Sequence, residues 1–382
     1  MIKRVIGTER VPIKLWLDDI EDGALQQARN LANLPFVYKW VAIMPDSHQG
    51  YGMPIGGVIA TTGVIIPNAV GVDIGCGMAA IRMSLTEIDT ETLKRVMEKI
   101  REQIPVGFNH QVEDQLWDGF DDAPDIPIIQ RELSSAKKQL GTLGGGNHFI
   151  EIQQGDDGHI WIMIHSGSRN FGLKTANEYH KKAQFLCSKW YSFMPDKDLA
   201  FLPIEDETGN EYYQAMNYCL KFARANRALM MNRALSAMYS ETGATSTEEI
   251  DIHHNYAVFE HHYGKDVLVH RKGATKATLG LTGIIPGSMG TSSYITEGLG
   301  NPESFFSSSH GAGRRMGRKE AERTLNLESE QEKMTGIIHG LRSVSELDEA
   351  PGAYKDIDVV MGNQSDLVQI LVTLTPLANV KG

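Results

Sequence analysis

Four of the 13 histidines in this chain stand where an apolar, β-branched run meets a polar turn. They are His148 in GGGNHFIE, His165 in WIMIHSGS, His254 in IDIHHNYA and His310 in SSHGAGR. Loops of this kind, held by a rigid scaffold, are where binding and catalysis concentrate. His110, His159, His180, His261, His262 and His339 sit in ordinary surroundings and read as structural or solvated. Asp73 and Cys76 lie three residues apart in GVDIGCGM. Gly75 and Gly77 let the backbone turn there, so that a carboxylate and a thiolate can meet one ion. An Asp-x-x-Cys alone is a weak signal, because a Cys in apolar surroundings is usually an inert small hydrophobe. Joined by His148, His165 and His254, it becomes a set of one carboxylate, one thiolate and three imidazoles. Five ligands are too many for one open tetrahedral catalytic site and suit two ions bridged by the thiolate. Ligand softness favours zinc at least as readily as manganese.

Two glycine loops have the composition of phosphate sites. HSGSRNFG offers Ser166, Ser168, backbone amides and the fork of Arg169, which fits a phosphate bidentately. PGSMGTSS offers the successive amides and hydroxyls of an anion nest. Neither matches the Walker A or the dinucleotide-binding fingerprint. His310, followed by Gly311, Gly313 and Arg314, has two roles open to it. A neutral imidazole there can attack phosphorus, or it can be one more metal ligand.

These residues need a scaffold, and the hydrophobic pattern outlines it. VAIMP, GGVIATTGVII and MAAIRM read as buried strands between residues 41 and 82. A helix is expected around Asp19–Leu31. Residues 90–103 form an amphipathic helix with the stripe Leu93, Val96, Met97 and Ile100, capped by Asp89 or Thr90 and stopped by Pro105. Residues 110–130, rich in Asp and Pro, read as an irregular surface excursion. Helices follow at Ile129–Leu140 and at 172–191. A long one at 211–240 is apolar nearly all round, as befits a buried helix. On it Lys221, Arg224 and Arg227 recur every three residues, which is either a solvated stripe or a basic face for nucleic acid. Short strands and glycine turns resume after Asp251 and run to Arg314, and Leu367–Leu377 reads as a strand near the end of the chain. Without regular βαβ alternation, repeat or linker, this is one α+β domain over residues 1–382.

The composition excludes whole classes. With 41% hydrophobic residues the 382-residue chain is too apolar for a solvated coil and long enough for a large core. Its 38 glycines lack a three-residue period, so it is not collagenous. A net charge of −11 argues against non-specific coating of nucleic acid, but not against a local basic pocket. Three cysteines argue against a disulfide scaffold and for a reducing compartment. No run approaches the ~20 apolar residues of a membrane helix, and the first residues lack a signal-peptide core. A cytoplasmic protein is expected.

Taken together, the segments MPDSHQGYGMPIGGV, GVDIGCGM, GTLGGGNHFIE, HSGSRNFG, HHNYA, HRKGAT, IPGSMGTSSY, SHGAGR, AYKDID and VKG resemble, in order, the motifs of the RtcB family of RNA-splicing ligases. That family joins RNA 3′-phosphate or 2′,3′-cyclic phosphate ends to 5′-hydroxyl ends, in tRNA splicing or RNA repair. The resemblance implies a compact α+β fold, with mixed sheets around a central metal and nucleotide cleft. It implies two manganese ions, one on Asp73, Cys76 and His148 and the other on Cys76, His165 and His254. It implies GTP as cofactor and His310 as the nucleophile that takes GMP. Guanylate-binding positions carried over are Asn147, His148, Phe149, Ile150, Glu151, His254, Asn255, Pro286, Gly287, Ser288, Met289, Ser293, His310, Gly311, Ala312, Gly313 and Lys381. An accessory activating protein is a further partner the resemblance admits. Ser309, where many members have Cys, and Gly317, where Ser is common, depart from the pattern. Two rival readings remain: a metallophosphodiesterase that opens cyclic phosphates without ligating, and a non-catalytic module that binds RNA ends. The first needs neither His310 nor Lys381, and the second predicts a broken ligand set.

Overall fold

Two antiparallel-rich sheets face each other across a cleft, and the computed structural model describes all residues from 1 to 382. The first sheet has six strands in the order Arg4–Ile6, Ile13–Leu15, Val37–His48, Ile55–Thr61, Lys265–Lys272, Asn255–His262. The second has seven: Ser246–His253, Gly77–Met83, Ile160–Ser166, Phe149–Gly155, Val368–Lys381, Ser293–Gly298, Thr282–Ile285. The apolar strand runs bury most of their side chains because helices and the opposing sheet cover both faces.

Several expectations hold with shifted ends. The amphipathic helix spans Thr90–Gln103, and Asp89 caps it by accepting from the amides of Glu91 and Thr92. The first helix is Asp22–Ala32, the next ones Pro127–Gln139 and Arg169–Lys189, and the long one Glu207–Thr242. Gly63, at φ +75°, breaks the expected run GGVIATTGVII into Ile55–Thr61 and Val64–Ile65. Glycine adopts this left-handed conformation without steric cost, so the chain turns there. The strand expected after Asp251 starts earlier, at Ser246, because it pairs with Gly77–Met83. The region 110–130 is irregular up to Ile126, with one 3-10 turn at Asp118–Phe120.

The basic stripe on the long helix splits. Lys221 and Arg224 are exposed, whereas Arg227 is fully buried. Residues three apart on a helix drift around its axis by about a sixth of a turn per step. The stripe is therefore not a continuous face for nucleic acid. Arg227 grips Asp251 through two hydrogen bonds of 2.9 and 2.7 Å. It also donates to the carbonyls of Gly75 and Ser166, at 3.0 Å each. Beside it, Asn226 accepts from the amides of Gly141 and Thr142 and donates to Gly167 O. One helical turn thus straps together the loops that carry Cys76, His148 and His165. Phe222 on the same helix is fully buried, and a side chain of that size contributes about 1.5–3 kcal/mol by leaving water.

Candidate functional site

Strand register brings the ligand candidates to one end of the seven-stranded sheet. Gly77 lies opposite Ser166 on one side and His253 on the other. Cys76, just before Gly77, therefore neighbours His254, just after His253, and the amide of His254 donates to Cys76 O at 2.9 Å. His165 pairs with Phe149, which puts His148 one residue beyond it. His148 Nε2 lies 3.4 Å and His165 Nε2 3.2 Å from Cys76 Sγ. Asp73 Oδ2 lies 3.0 Å from His148 Nε2, and His254 Nε2 lies 3.3 Å from His165 Nε2. Cys76, His148 and His165 can place one donor atom each within 4.8 Å of the others.

The proton inventory says what this cluster needs. The ring of His148 donates from Nδ1 to Leu143 O, and that of His165 from Nδ1 to Asn147 O, each at 3.0 Å. With Nδ1 carrying the proton, both Nε2 atoms present lone pairs. Those lone pairs face a sulfur, a carboxylate and another imidazole, and Asp73 Oδ1 is buried without a partner. Burial and then neighbouring imidazoles push His165 and His254 well below the usual histidine range, so both are neutral. Burial, and then the charge of Asp73, pushes the Cys76 thiol far up. A set of lone pairs that converges with only the Cys76 thiol as donor among them is the environment a metal cation resolves. Gly167 packs so closely that a Cβ there would overlap the carboxylate of Asp73. The donor set fits one or two transition-metal ions.

His310 sits next to this cluster but is held differently. Its ring centroid is 4.6 Å from that of His254. Asp46, fully buried, accepts from His310 Nδ1 at 2.7 Å and from the His310 amide at 3.1 Å. Burial raises the Asp46 carboxyl, but the hydrogen bond and charge of His310 outweigh it and hold the group below its usual value. The carboxylate holds a proton on Nδ1, so a neutral His310 ring carries its free lone pair on Nε2. Gly313, at φ +75°, passes so close to this strand that a Cβ would overlap the carbonyl of Asp46.

A cleft of about 680 Å³ joins these parts. Asp73, Cys76, His165, His254, Asn255 and His310 line it. So do Asn147, Phe149, Glu151, Pro286 to Met289, Gly311 to Gly313 and Lys381. Of the expected binding positions, three are not on its surface. His148 is buried behind Asp73, and Ile150 points into the apolar core because alternate strand residues face opposite ways. Ser293 is buried beneath Gly287, accepting from its amide at 3.2 Å and from Gln153 Nε2 at 3.1 Å. Lys381 Nζ stands 5.4 Å from the centre of the Phe149 ring and 3.8 Å from Glu349 Oε2.

Arg169 departs from expectation. Its fork is spent on the protein, with Nε donating to Thr142 Oγ1 and Nη2 to Gly107 O, each at 3.1 Å. It braces the loops that carry the ligand candidates and does not line the cleft. Sequence reasoning passed over Asp46, Glu349 and Lys272. Asp46 carried a signal, being the one carboxylate inside the apolar strand Val37–His48. Glu349 carried none: it is recognisable only because Arg314, Arg318, Tyr354 and Lys381 converge on it. Lys272 is buried and donates to the carbonyls of Tyr51, Met53 and Asn68, which shapes the mouth of the cleft.

No helix is long and apolar enough to cross a membrane. The family model described as tRNA-splicing ligase RtcB matches residues 27–382. An RNA-splicing ligase RtcB of Escherichia coli K12 is 40% identical over 99% of both chains. The tRNA-splicing ligase RtcB of Thermococcus kodakarensis is 33% identical, over 98% of this chain and 95% of its own. The RNA-splicing ligase RtcB of Mycobacterium tuberculosis is 32% identical, over 93% of this chain and all of its own. With the motif order, the family match and full-length identity in agreement, this chain belongs to the tRNA-splicing ligase RtcB family.

Proposed function

We propose that this chain is an RNA ligase that uses GTP and two manganese ions to join 3′-phosphate or 2′,3′-cyclic phosphate ends to 5′-hydroxyl ends. The observation that carries the reading is the pairing of Asp46 with His310 Nδ1 at 2.7 Å, beside a cluster built for cations. A histidine fixed in this way offers Nε2 as a nucleophile without first losing a proton. In the first step Nε2 attacks the α-phosphorus of GTP, the bond to the bridging oxygen breaks, and pyrophosphate departs. The GMP then passes to the RNA 3′-phosphate, and His310 is restored. The RNA 5′-hydroxyl attacks the activated phosphate and GMP leaves.

Asp73, Cys76, His148, His165 and His254 would hold the ions, with Cys76 shared. Bound there, the metal supplies Lewis-acid charge that gathers and neutralises phosphate oxygens. Asp46 balances the positive charge that His310 gains on forming the phosphoramidate. The carbonyl-anchored rings of His148 and His165 keep their lone pairs aimed inward. Phe149 offers a face for a purine, and Lys381 a donor for the O6 and N7 acceptors that distinguish guanine from adenine. The single catalytic unit spans residues 1–382, since the cleft draws on segments from Asp46 to Lys381.

Incubation with GTP labelled at the α-phosphate and manganese, without RNA, tests the reading. A labelled protein band that is acid-labile and alkali-stable is the expected result. Its absence would favour a phosphodiesterase that opens cyclic phosphates without ligating.

A further inference from the structure

Behind the wall that carries Lys381 lies a second cavity, also of about 680 Å³. It shares Met289 and Lys381 with the cleft, and no part of the proposed chemistry uses it. Its floor is apolar, made by Ile104, Val106 and Leu341. Its rim carries Arg101, Asn109 and His110, next to Phe108, whose ring is fully exposed.

Arg101, the cation of this rim, is free. On the same helix Arg95 and Lys99 are both bound by Glu241, whereas Arg101 has no carboxylate partner. The acids that line the cavity are already engaged. Glu346 accepts from the amides of Arg342 and Ser343, and Glu349 from Arg314 at 3.0 Å. Asp348 faces Arg318 at 3.7 Å. Arg101 is thus the unpaired cation of the rim, while Glu346 is tied down by neutral amides, on a chain whose net charge is −11. The cavity is also continuous with the chemistry. Arg318 lines the cleft and its guanidinium reaches Gly146, a residue of the second cavity. Arg169 ties Gly107, at the base of the Phe108 loop, to the loops that hold the ligand cluster.

We infer that this second cavity is a nucleotide subsite that takes single-stranded RNA leading away from the ends being joined. Free donors for a phosphate, an exposed ring for stacking and an apolar floor for a base are the parts such sites combine. The inference rests on the RNA-ligase reading and adds where the strand runs.

The test uses Phe108→Ala and Arg101→Gln, both at exposed positions that leave the core intact. Binding of a fluorescent single-stranded oligouridylate is measured against salt, and guanylylation by GTP is measured without RNA. Each variant should weaken oligouridylate binding by about tenfold. Arg101→Gln should also lower the slope of log affinity on log salt by about 0.7, as loss of one phosphate contact requires. Guanylylation should be unchanged in both, and so should joining of dinucleotide ends, which are too short to reach the cavity. Unchanged oligouridylate affinity in both variants would overturn the subsite. So would a parallel loss of guanylylation, which would mean a general disturbance of the Lys381 wall. Absence of any GMP adduct on the unaltered protein would defeat the guanylate reading and leave the oligonucleotide measurement to judge the subsite alone.

Discussion

Two groups of residues in the cleft solve opposite electrostatic problems. At the end of the seven-stranded sheet, Asp73, Cys76, His148, His165 and His254 are gathered by strand register, and their lone pairs converge with only the Cys76 thiol as donor. Elsewhere in the cleft, His310 and Lys381 already have partners within the protein, in Asp46 and Glu349. The first group could hold a cation. The second is satisfied as it stands and must exchange partners only where a ligand offers better ones. The general lesson is that a metal site shows itself by unsatisfied acceptors, whereas a nucleotide site shows itself by charged groups held ready.

The sharpest way to break the contrast is at His310. His310→Ala should abolish the GMP adduct while manganese content stays near normal, because His310 is assigned as nucleophile and not as ligand. A variant that still labels would end that assignment. Asp46→Asn comes next. It keeps the shape but removes the charge that fixes the tautomer, and a change of this kind costs roughly a thousand- to ten-thousandfold in rate where a histidine acts in catalysis. Adduct formation in single turnover measures it, and a loss below tenfold would show that Asp46 is only structural.

Cys76→Ser should lose more manganese than His165→Ala, since the thiolate is proposed to touch both ions. Metal counted per protein in each variant decides this, and equal losses would argue against a bridging thiolate. For Lys381→Ala the expected effect is smaller. One lost charge-assisted hydrogen bond should weaken GTP use by about 1.5–3 kcal/mol, or roughly ten- to a hundredfold, and erode preference over ATP. An unchanged GTP/ATP ratio in adduct formation would remove Lys381 from base recognition.

The smallest effect concerns Glu151, whose carboxyl burial raises from 4.5 to about 8, against the opposing pull of Gln153 and Lys381. Between those values the folded protein keeps a proton that the unfolded chain releases. Stability from this group is therefore fully present below its ordinary pKa and is lost as pH rises through about 8. Glu151→Gln removes the ionisable group. Its Tm relative to the unaltered protein, measured without nucleotide, should rise from the acid to the alkaline end of this window. A flat difference would mean that Glu151 is ionised throughout.

The candidate cluster was partly legible, with Cys76, His148 and His165 grouped closely enough to hold an ion, because metal-binding patterns restrict residue type so severely. A Cys between glycines and histidines at strand ends have few other reasons to recur together, and all of Asp73, Cys76, His148, His165 and His254 converge in the structure. The amphipathic helix Thr90–Gln103 was equally plain, since its cap and its apolar stripe are local. Arg169 misled because a fork beside serines and glycines looks the same whether it binds phosphate or a carbonyl. Only the neighbouring Gly107 and Thr142, distant in sequence, decide between the two.

What the amino-acid sequence determined by itself was the chemistry available: soft and hard ligands, a candidate nucleophile, glycine turns and the elements that carry them. What only the tertiary structure decided was which groups keep their charges free. Arg227 and Arg169 vanish into buried hydrogen bonds, Arg101 stays unpaired, and Asp46 meets His310 across 264 residues of chain. Partner identity depends on long-range packing, and hydrogen-bond strength falls steeply with distance and angle. Residue type and local spacing carry no information on either.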